Sequence, residues 1–343
     1  MSVFIIAEVG SVHDGSFGNA GRLIDAAAEA GADAVKFQTH IPQAETVRDA
    51  PSPPYFKGEP RFEYFARTGF APLQWGMLKE RAEAVGLGFL SSPFSTEAVE
   101  LLEELGVQRY KVPSGEVTNL PLLAAIAATG KPVLLSSGMS SWQEIDDAVA
   151  TLRGAHGPRS DDDWLTVLQC TSEYPCPYER VGLNVMKEMR QRYRCPVGLS
   201  DHTLTPFAAY AAVTLGATVI EKHFTFSRRM YGSDAAHSLE PGEFAEMVRG
   251  IRAVEAIMAG EVDKGDHSRY REMKDIFEKS VVTLATVPRG QVLTPELVGV
   301  KKPGTGIPAR RYQEVLGRRA KRDLAADQVL REHDVDWAEQ TAA

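Results

Sequence analysis

Eight apolar runs of strand length recur along the first 225 residues, and each finishes on polar or charged side chains where a buried strand should stay apolar. In order they are FIIAEVG (4–10), AVKFQT (34–39), GFLSSPF (88–94), RYKVPSG (109–115), PVLLSSG (132–138), LTVLQCT (165–171), PVGLSDHT (196–203) and TVIEKHFT (218–225). Helix-period stretches lie between them, among others at 19–31, 95–106, 141–153 and 206–216. Several carry start signals: Ser95 as N-cap, Ser141 three residues before Glu144, Thr205 before Pro206, and Pro241 opening the eighth helix. Strand then helix, repeated eight times over about 255 residues, predicts a (β/α)8 TIM barrel, whose ordinary length is about 250 residues. In that fold the active site lies at the C-terminal strand ends, which is where this chain keeps its polar residues.

Two stretches break the rhythm. Residues 40–71 separate the second strand from its helix by a segment rich in proline and aromatics (Tyr55, Phe56, Phe62, Tyr64, Phe65), which predicts an ordered substrate-proximal loop. Residues 261–280 are polar and highly charged and read as a linker with a helical portion. The expected organisation is thus a barrel over 1–260, the linker, and a small β-rich module over 281–343. In that module VTLATV alternates as a strand, VGVKKPGTG ends a second strand in a glycine-rich loop, and RAKRDLAADQVL predicts a further strand with a short helix or turn. A module of about 60 residues is marginal alone and is expected to dock on a barrel or a partner subunit.

Composition narrows the function. A chain of 343 residues that is 43% hydrophobic can bury a large core. No apolar run approaches the roughly 18 residues of a membrane span, and the opening MSVFIIAEVG enters a strand without a basic leader, so a cytoplasmic protein is expected. Cys170, Cys176 and Cys195 lack CxxC spacing and suit a reducing compartment; Cys176, between two prolines, is the one placed to line a site. The net charge of −8 argues against a nucleic-acid surface. No GxxxxGK[ST] or strand-following GxGxxG motif indicates a nucleotide cofactor.

The charges on the strands carry the chemistry. Alternation in VKFQT turns Val35 and Phe37 outward under the helices, and Lys36 with Gln38 inward toward the barrel axis. A buried ammonium is costly without a counter-charge. Lys36 is therefore expected either to pair with Glu8 or Glu116, or to join Lys111 and the hydroxyls of Ser92, Ser114 and Ser136 in a pocket for a phosphate and a carboxylate. Ser200 and His202 share one face of the seventh strand, and Glu221 and His223 one face of the eighth. Histidines at strand ends serve either as hydrogen-bonding core residues or, as two on adjacent strands with Asp234 or Glu221 as oxygen donor, as a metal site whose mixed donors suit Mn²⁺, Fe²⁺, Co²⁺ or Zn²⁺. Glu8 and Glu221 are the inward acids available either for proton transfer or as counter-ions for a lysine.

Ten ordered motifs, GSVHDG, VKFQT, SSPFS, YKVPSGE, LSSGM, CTSEYP, GLSDHT, EKHFT, SD followed by SLEP, and KPGTG, resemble the sialic acid (N-acetylneuraminate) synthase family nearly end to end. The resemblance implies a TIM barrel followed by an antifreeze-like (SAF) domain. The implied activity condenses phosphoenolpyruvate with an N-acylated hexose to a nine-carbon 2-keto acid and phosphate. It further implies that Lys36, Ser92, Lys111, Ser114, Ser136 and Ser200 bind phosphoenolpyruvate, and that His202 and His223 hold a divalent metal, Mn²⁺ or Mg²⁺. Asp234 would contact a metal-bound water, and Glu8, Tyr174 and Glu221 the substrate. A homodimer with exchanged tails is implied as well. Val12 departs from the Asn of many members and Ser172 from the Asn of some. Lys302 stands for an Arg that reaches across the dimer to the sugar, keeping the charge but losing the planar fork. The alternatives are a phosphoenolpyruvate-condensing barrel acting on a phosphorylated sugar, for which the long loop offers only Arg48, Lys57, Arg61 and Arg67, and a non-catalytic carbohydrate-binding or scaffolding protein.

Overall fold

The eight apolar runs are eight parallel strands: β1 (Phe4–Gly10), β2 (Ala34–Thr39), β3 (Gly88–Pro93), β4 (Tyr110–Val112), β5 (Val133–Ser136), β6 (Leu165–Cys170), β7 (Val197–Asp201) and β8 (Val219–His223). This computed structural model describes residues 2–52, 58–156 and 164–338. The strands hydrogen-bond in the order β3-β2-β1-β8-β7-β6-β5-β4, and β3 and β4 at the two ends lie side by side, so the sheet closes as a TIM barrel. The helices are α1 (Phe17–Glu29), α2 (Pro42–Glu45), α3 (Arg61–Thr68), α4 (Pro72–Ala84), α5 (Thr96–Glu104), α6 (Leu120–Ala128), α7 (Trp142–His156), α8 (Met186–Tyr193), α9 (Phe207–Thr214) and α10 (Pro241–Ala259).

The start signals act as local chemistry requires. The Ser95 hydroxyl accepts the Ala98 N–H at 3.2 Å. Ser141 and Glu144 satisfy each other's backbone N–H groups at 3.3 and 2.7 Å as a capping box. Pro241 opens α10, where a missing N–H costs nothing. Thr205 is the exception: Pro206 takes the cap position of α9 without a side-chain cap, and the Thr205 hydroxyl instead meets Tyr178 Oη at 3.0 Å. The stretch 40–71 also departs from expectation, because α2 and α3 form within it. Tyr55, Phe56 and Lys57 lie outside the described residues.

Side-chain alternation divides the barrel into two cores. Outward residues such as Val35, Phe37, Val112 and Val167 pack beneath the helices in one large apolar cluster. Inward, Ile6, Ala34, Leu90, Leu134, Leu168 and Val219 form a separate apolar layer. Two residues further along those strands the inward side chains become Glu8, Lys36, Ser92, Ser136, Cys170 and Glu221. The greasy layer therefore closes the barrel under a polar one and keeps water from reaching it from below.

One outward pair is charged. Lys222 and Asp201, 1% exposed each, meet at 2.6 Å between β8 and β7, and the ammonium also donates to Thr203 Oγ1 (3.1 Å), Thr205 O (3.2 Å) and Thr203 O. Asp201 accepts the Thr203 N–H at 2.8 Å. The pair thereby anchors the turn that holds His202. Burial pushes the Lys222 ammonium below its ordinary range, with Asp201 opposing.

The chain divides into two compact units, residues 1–260 and 261–343. The second begins with α11 (Arg271–Phe277). It pairs β9 (Ser280–Thr283) with β10 (Val298–Lys301) and, after the short helix α12 (Tyr312–Val315), β11 (Arg319–Ala320) with β12 (Val335–Asp336), all antiparallel. Its core includes Val281, Val287, Leu293, Val298, Ile307 and Leu330. VTLATV is not one continuous strand: β9 ends at Thr283, and Val287 makes a separate bridge to Leu324. Among the described residues no helix is long and apolar enough to cross a membrane.

Asp201→Ala leaves the Lys222 ammonium buried and unpaired, and is expected to destabilise the barrel by about 3–5 kcal/mol in urea unfolding. Asp201→Leu with Lys222→Met should recover most of that loss. A single-variant loss under about 1 kcal/mol would refute the anchoring role.

Candidate active site

At the C-terminal strand ends the polar layer opens into a cavity of about 470 Å³. Four buried charges form its floor. Lys36 Nζ lies 2.7 Å from Glu8 Oε2 and 3.8 Å from Glu221 Oε1, and Lys111 Nζ lies 3.4 Å from the same Glu221 oxygen. The lysines also donate to hydroxyls, Lys36 to Ser92 at 3.2 Å and Lys111 to Ser136 at 2.8 Å, while Ser200 donates to Glu221 at 3.4 Å. Strand register makes this possible: β1 sets Glu8 opposite Lys36, and β7 sets Ser200 opposite Glu221. Lys111 comes from β4, which is not a neighbour of β8 in the sheet, so it reaches Glu221 only across the barrel interior.

Burial acts on all four, and their neighbours decide the outcome. It pushes Glu8 up, opposed by Lys36, and the Glu8 carboxyl ends above the ordinary range. It pushes Glu221 up too, but the Lys111 and Lys36 ammoniums outweigh it and hold the group below its usual value. Lys36, facing both carboxylates, is raised despite burial; Lys111, with only Glu221 close, is lowered by it. The floor thus contains one carboxyl shifted toward holding a proton and one held ionised.

Two imidazoles line the same cavity, His202 just beyond β7 and His223 at the end of β8, with ring centroids 5.4 Å apart. His202 Nδ1–H donates to the Thr171 carbonyl at 2.7 Å, and burial pushes the ring down to about 3, so Nε2 is a bare lone pair. The buried His223 Nδ1 has no hydrogen-bond partner among the described residues. A fixed tautomer beside an orphaned ring nitrogen fits two ligands of a divalent metal. Contrary to expectation neither Asp234 nor Glu221 joins them as a third ligand, since no cluster of three His, Cys, Asp or Glu forms among the described residues, and water or substrate would complete such a sphere. The Tyr174 ring lies tilted against His202, with centroids 4.1 Å apart. Asp234 approaches from beyond β8 and accepts the Ser11 N–H at 3.3 Å. Gly10, at φ +53° beside a bulge in β1, makes room for it, since a Cβ there would collide with the Asp234 carboxylate.

The sequence matches the profile described as the NeuB family over residues 23–264, and that of the SAF domain over 278–336. The chain belongs to the NeuB family. It is 36% identical over 333 residues to N,N'-diacetyllegionaminic acid synthase of Campylobacter jejuni, covering 96% of this chain and 98% of that one. It is 35% identical to N-acetylneuraminate-9-phosphate synthase of Homo sapiens, covering 97% and 92%. Among solved structures it resembles N-acetylneuraminic acid (sialic acid) synthetase of Leptospira borgpetersenii in complex with citrate, with a TM-score of 0.68, 32% identity, and coverage of 80% and 90%.

In this NeuB-family barrel the cavity gathers Glu8, Lys36, Lys111, Ser114, Ser136, Ser172, Tyr174, Ser200, His202, Glu221, His223 and Asp234, with Ser92 behind Lys36. Gly138 lets Ser114, Ser172 and Cys170 converge, because a Cβ there would strike all three. Two expectations are corrected. Glu116 is not a lysine counter-ion but accepts from Asn119 Nδ2 at 2.8 Å. The cysteine that lines the site is Cys170, inward on β6; Cys176 Sγ turns to the Pro177 carbonyl, 3.4 Å away. Lys302 belongs to the second unit, where its ammonium lies over the Phe277 ring. The substrate-proximal segment 40–71 does supply His40, Arg61, Tyr64 and Phe65 to the cavity wall, whereas Phe94 and Met139 were not singled out in the sequence. Gln38, inward by alternation, donates to Glu8 Oε1 at 2.8 Å and meets His40 Nε2 through its own oxygen.

His13, in the turn after β1, is buried against Phe70 and its Nδ1 accepts the Gly15 N–H at 3.1 Å. Burial pushes it down to about 4. Below pH about 6.5 the unfolded chain therefore takes up a proton that the folded chain refuses, so stability falls with pH and by pH 4 the loss is on the order of 3 kcal/mol. His13→Gln should flatten the stability profile by about that amount between pH 7 and 4 in urea titrations. An unchanged profile would clear His13 as a source of acid sensitivity.

Proposed function

We propose that the protein condenses phosphoenolpyruvate with the open-chain aldehyde of an N-acylated hexose, releasing phosphate and a nonulosonic acid. The observation that carries this reading is one cavity holding two hydroxyl-bonded lysines on its floor and an imidazole pair at its side. Family membership and relatives that are nonulosonic acid synthases support it.

Lys36 with Ser92, and Lys111 with Ser136, would hold the phosphate and carboxylate of the donor by charge-assisted hydrogen bonds, with Ser114 and Ser200 completing the ring of donors. C3 of phosphoenolpyruvate attacks the aldehyde carbon, forming the new C–C bond and leaving positive charge at C2. Water adds at C2, and the tetrahedral carbon then breaks its bond to the phosphate oxygen. Besides the C2 hydroxyl proton, which leaves with the phosphate as the C2 ketone forms, two proton movements are needed: one onto the former aldehyde oxygen, one off the attacking water. Glu8 is assigned both, since its carboxyl is shifted toward the protonated form, while Glu221 stays ionised as the fixed counter-charge of both lysines. His202 and His223 would hold Mn²⁺ or Mg²⁺, whose chemistry when bound is polarisation of the aldehyde oxygen. Tyr174 and Asp234 orient the acceptor. By family resemblance the protein is a homodimer with exchanged tails, Lys302 serving the partner.

Lys111→Met is expected to weaken phosphoenolpyruvate binding by about 2–5 kcal/mol in calorimetry, and an affinity within about twofold of wild type would reject the donor role. Excess chelator should abolish phosphate release and Mn²⁺ or Mg²⁺ restore it, with His202→Ala keeping phosphoenolpyruvate affinity but losing turnover. Full activity in protein verified to be free of metal would reject the metal assignment.

A further inference from the structure

Hydrogen bonds lead from Glu8 out of the charged floor to a buried pair that the chemistry above does not use. Glu8 meets two donors, the Lys36 ammonium at Oε2, 2.7 Å away, and the Gln38 amide at Oε1, 2.8 Å away. The same amide turns its oxygen to His40 Nε2 at 3.1 Å, and His40 Nδ1 lies 2.8 Å from Glu45 Oε1. The His40 and Glu45 side chains are 5% and 4% exposed. Phe65 and Phe94 stack on the imidazole at 3.6 and 4.0 Å, with planes 19° and 21° from its own, which fixes the plane of the ring.

The polarity of this chain runs one way. An amide oxygen only accepts, so His40 Nε2 carries a hydrogen. A carboxylate also only accepts, and Glu45 takes the Ile41 N–H at Oε2, 3.3 Å away, as well as His40 at Oε1, so Nδ1 is a donor too. The ring's charge is answered by Glu45, and Glu116 lies close enough to feel both. Among the described residues Gln38 has no side-chain hydrogen bonds besides those to Glu8 and His40. Rotation about the last bond of a glutamine is broad and two-fold, so without His40 the amide is free to turn its oxygen toward Glu8.

We infer that His40 and Glu45 are positioning residues for Glu8: by donating from Nε2, His40 holds the Gln38 amide in the orientation that gives Glu8 an N–H. The inference rests on the proton-transfer role proposed for Glu8. When Glu8 gives its proton to the former aldehyde oxygen, the carboxylate left behind keeps a donor at each oxygen, Lys36 at one and Gln38 at the other. With the amide reversed, that carboxylate would face a carbonyl oxygen and the transfer would be opposed. His40 acts through Gln38, and Glu45 through His40.

The test reads the ring first and turnover second. In protein labelled with ¹⁵N-histidine, with the His40 signals assigned by their loss in His40→Phe, wild type should show hydrogen on Nε2. A bare Nε2 overturns the inference whether or not the protein turns over. His40→Phe keeps an aromatic ring between Phe65 and Phe94 and removes both N–H groups. With N-acetylmannosamine and a bis-N-acylated hexose as acceptors it should lower kcat about 10-fold, leaving acceptor KM and calorimetric phosphoenolpyruvate affinity within about twofold. His40→Phe combined with Gln38→Met should lose no more than Gln38→Met alone, since the two act in series. Glu45→Gln separates orientation from charge: its amide can accept the Ile41 N–H and donate to Nδ1, so Nε2 keeps its hydrogen and kcat should stay within about threefold. A kcat loss under about twofold in folded His40→Phe, a loss carried wholly by KM, or losses that add in the double variant each overturn the positioning role. So does a Glu45→Gln loss equal to that of His40→Phe while Nε2 still carries hydrogen. Absence of wild-type turnover on every acceptor rejects the condensation, and the ring spectrum then judges the Gln38 clamp by itself.

Discussion

Four ionisable groups on the barrel axis, Glu8, Lys36, Lys111 and Glu221, are tolerable only because each is within reach of an opposite charge. Taking one such ion out of water costs several kcal/mol, and removing any partner exposes that penalty. The remainder of the barrel serves the arrangement. The inward apolar layer closes it from below, the register of β1 on β2 sets Glu8 beside Lys36, and closure of the sheet brings β4 to face β8. An anionic ligand entering this floor finds two cations whose desolvation cost is already met by folding. It competes for them with carboxylates rather than with water.

The two glutamates are made unequal by position. Glu221 stands between both lysines and is held ionised, whereas Glu8 faces Lys36 and Gln38 and is raised by burial. The same residue type is thus held in two different electrostatic states around one lysine, one carboxyl raised and the other lowered. Gln38 then links Glu8 to His40 and the aromatic wall, so the charged floor and that wall share one hydrogen-bonded frame. The outward Lys222–Asp201 pair does the corresponding task behind the sheet, fixing the turn from which His202 enters the cavity.

Membership of the NeuB family and the SAF match agree with the motifs read along the chain. The relatives are named for different sugar acids, and part of the cavity wall comes from residues 40–71, outside the barrel strands. Arg61, Phe65 and His40 all come from that segment.

Alternation along single strands was enough to give the eight strands, their inward faces and the inventory of Lys36, Lys111, Ser200, His202, Glu221 and His223, because a period of two is a local property of the backbone. Local chemistry likewise announced the caps at Ser95 and Ser141, but not the start of α9, where Thr205 is drawn to Tyr178. What no local pattern contains is which inward groups meet. Glu8 or Glu116 could equally serve Lys36 on sequence alone, and Cys176 looked nearer a site than Cys170; strand register and barrel closure decided both. The Lys222–Asp201 pair was hidden because outward positions were read as apolar, and the His40 wall because a helix folded within a presumed loop. The physical reason is common to all of these: alternation determines the face a side chain takes, while pairing across the barrel depends on distances set only when the sheet closes.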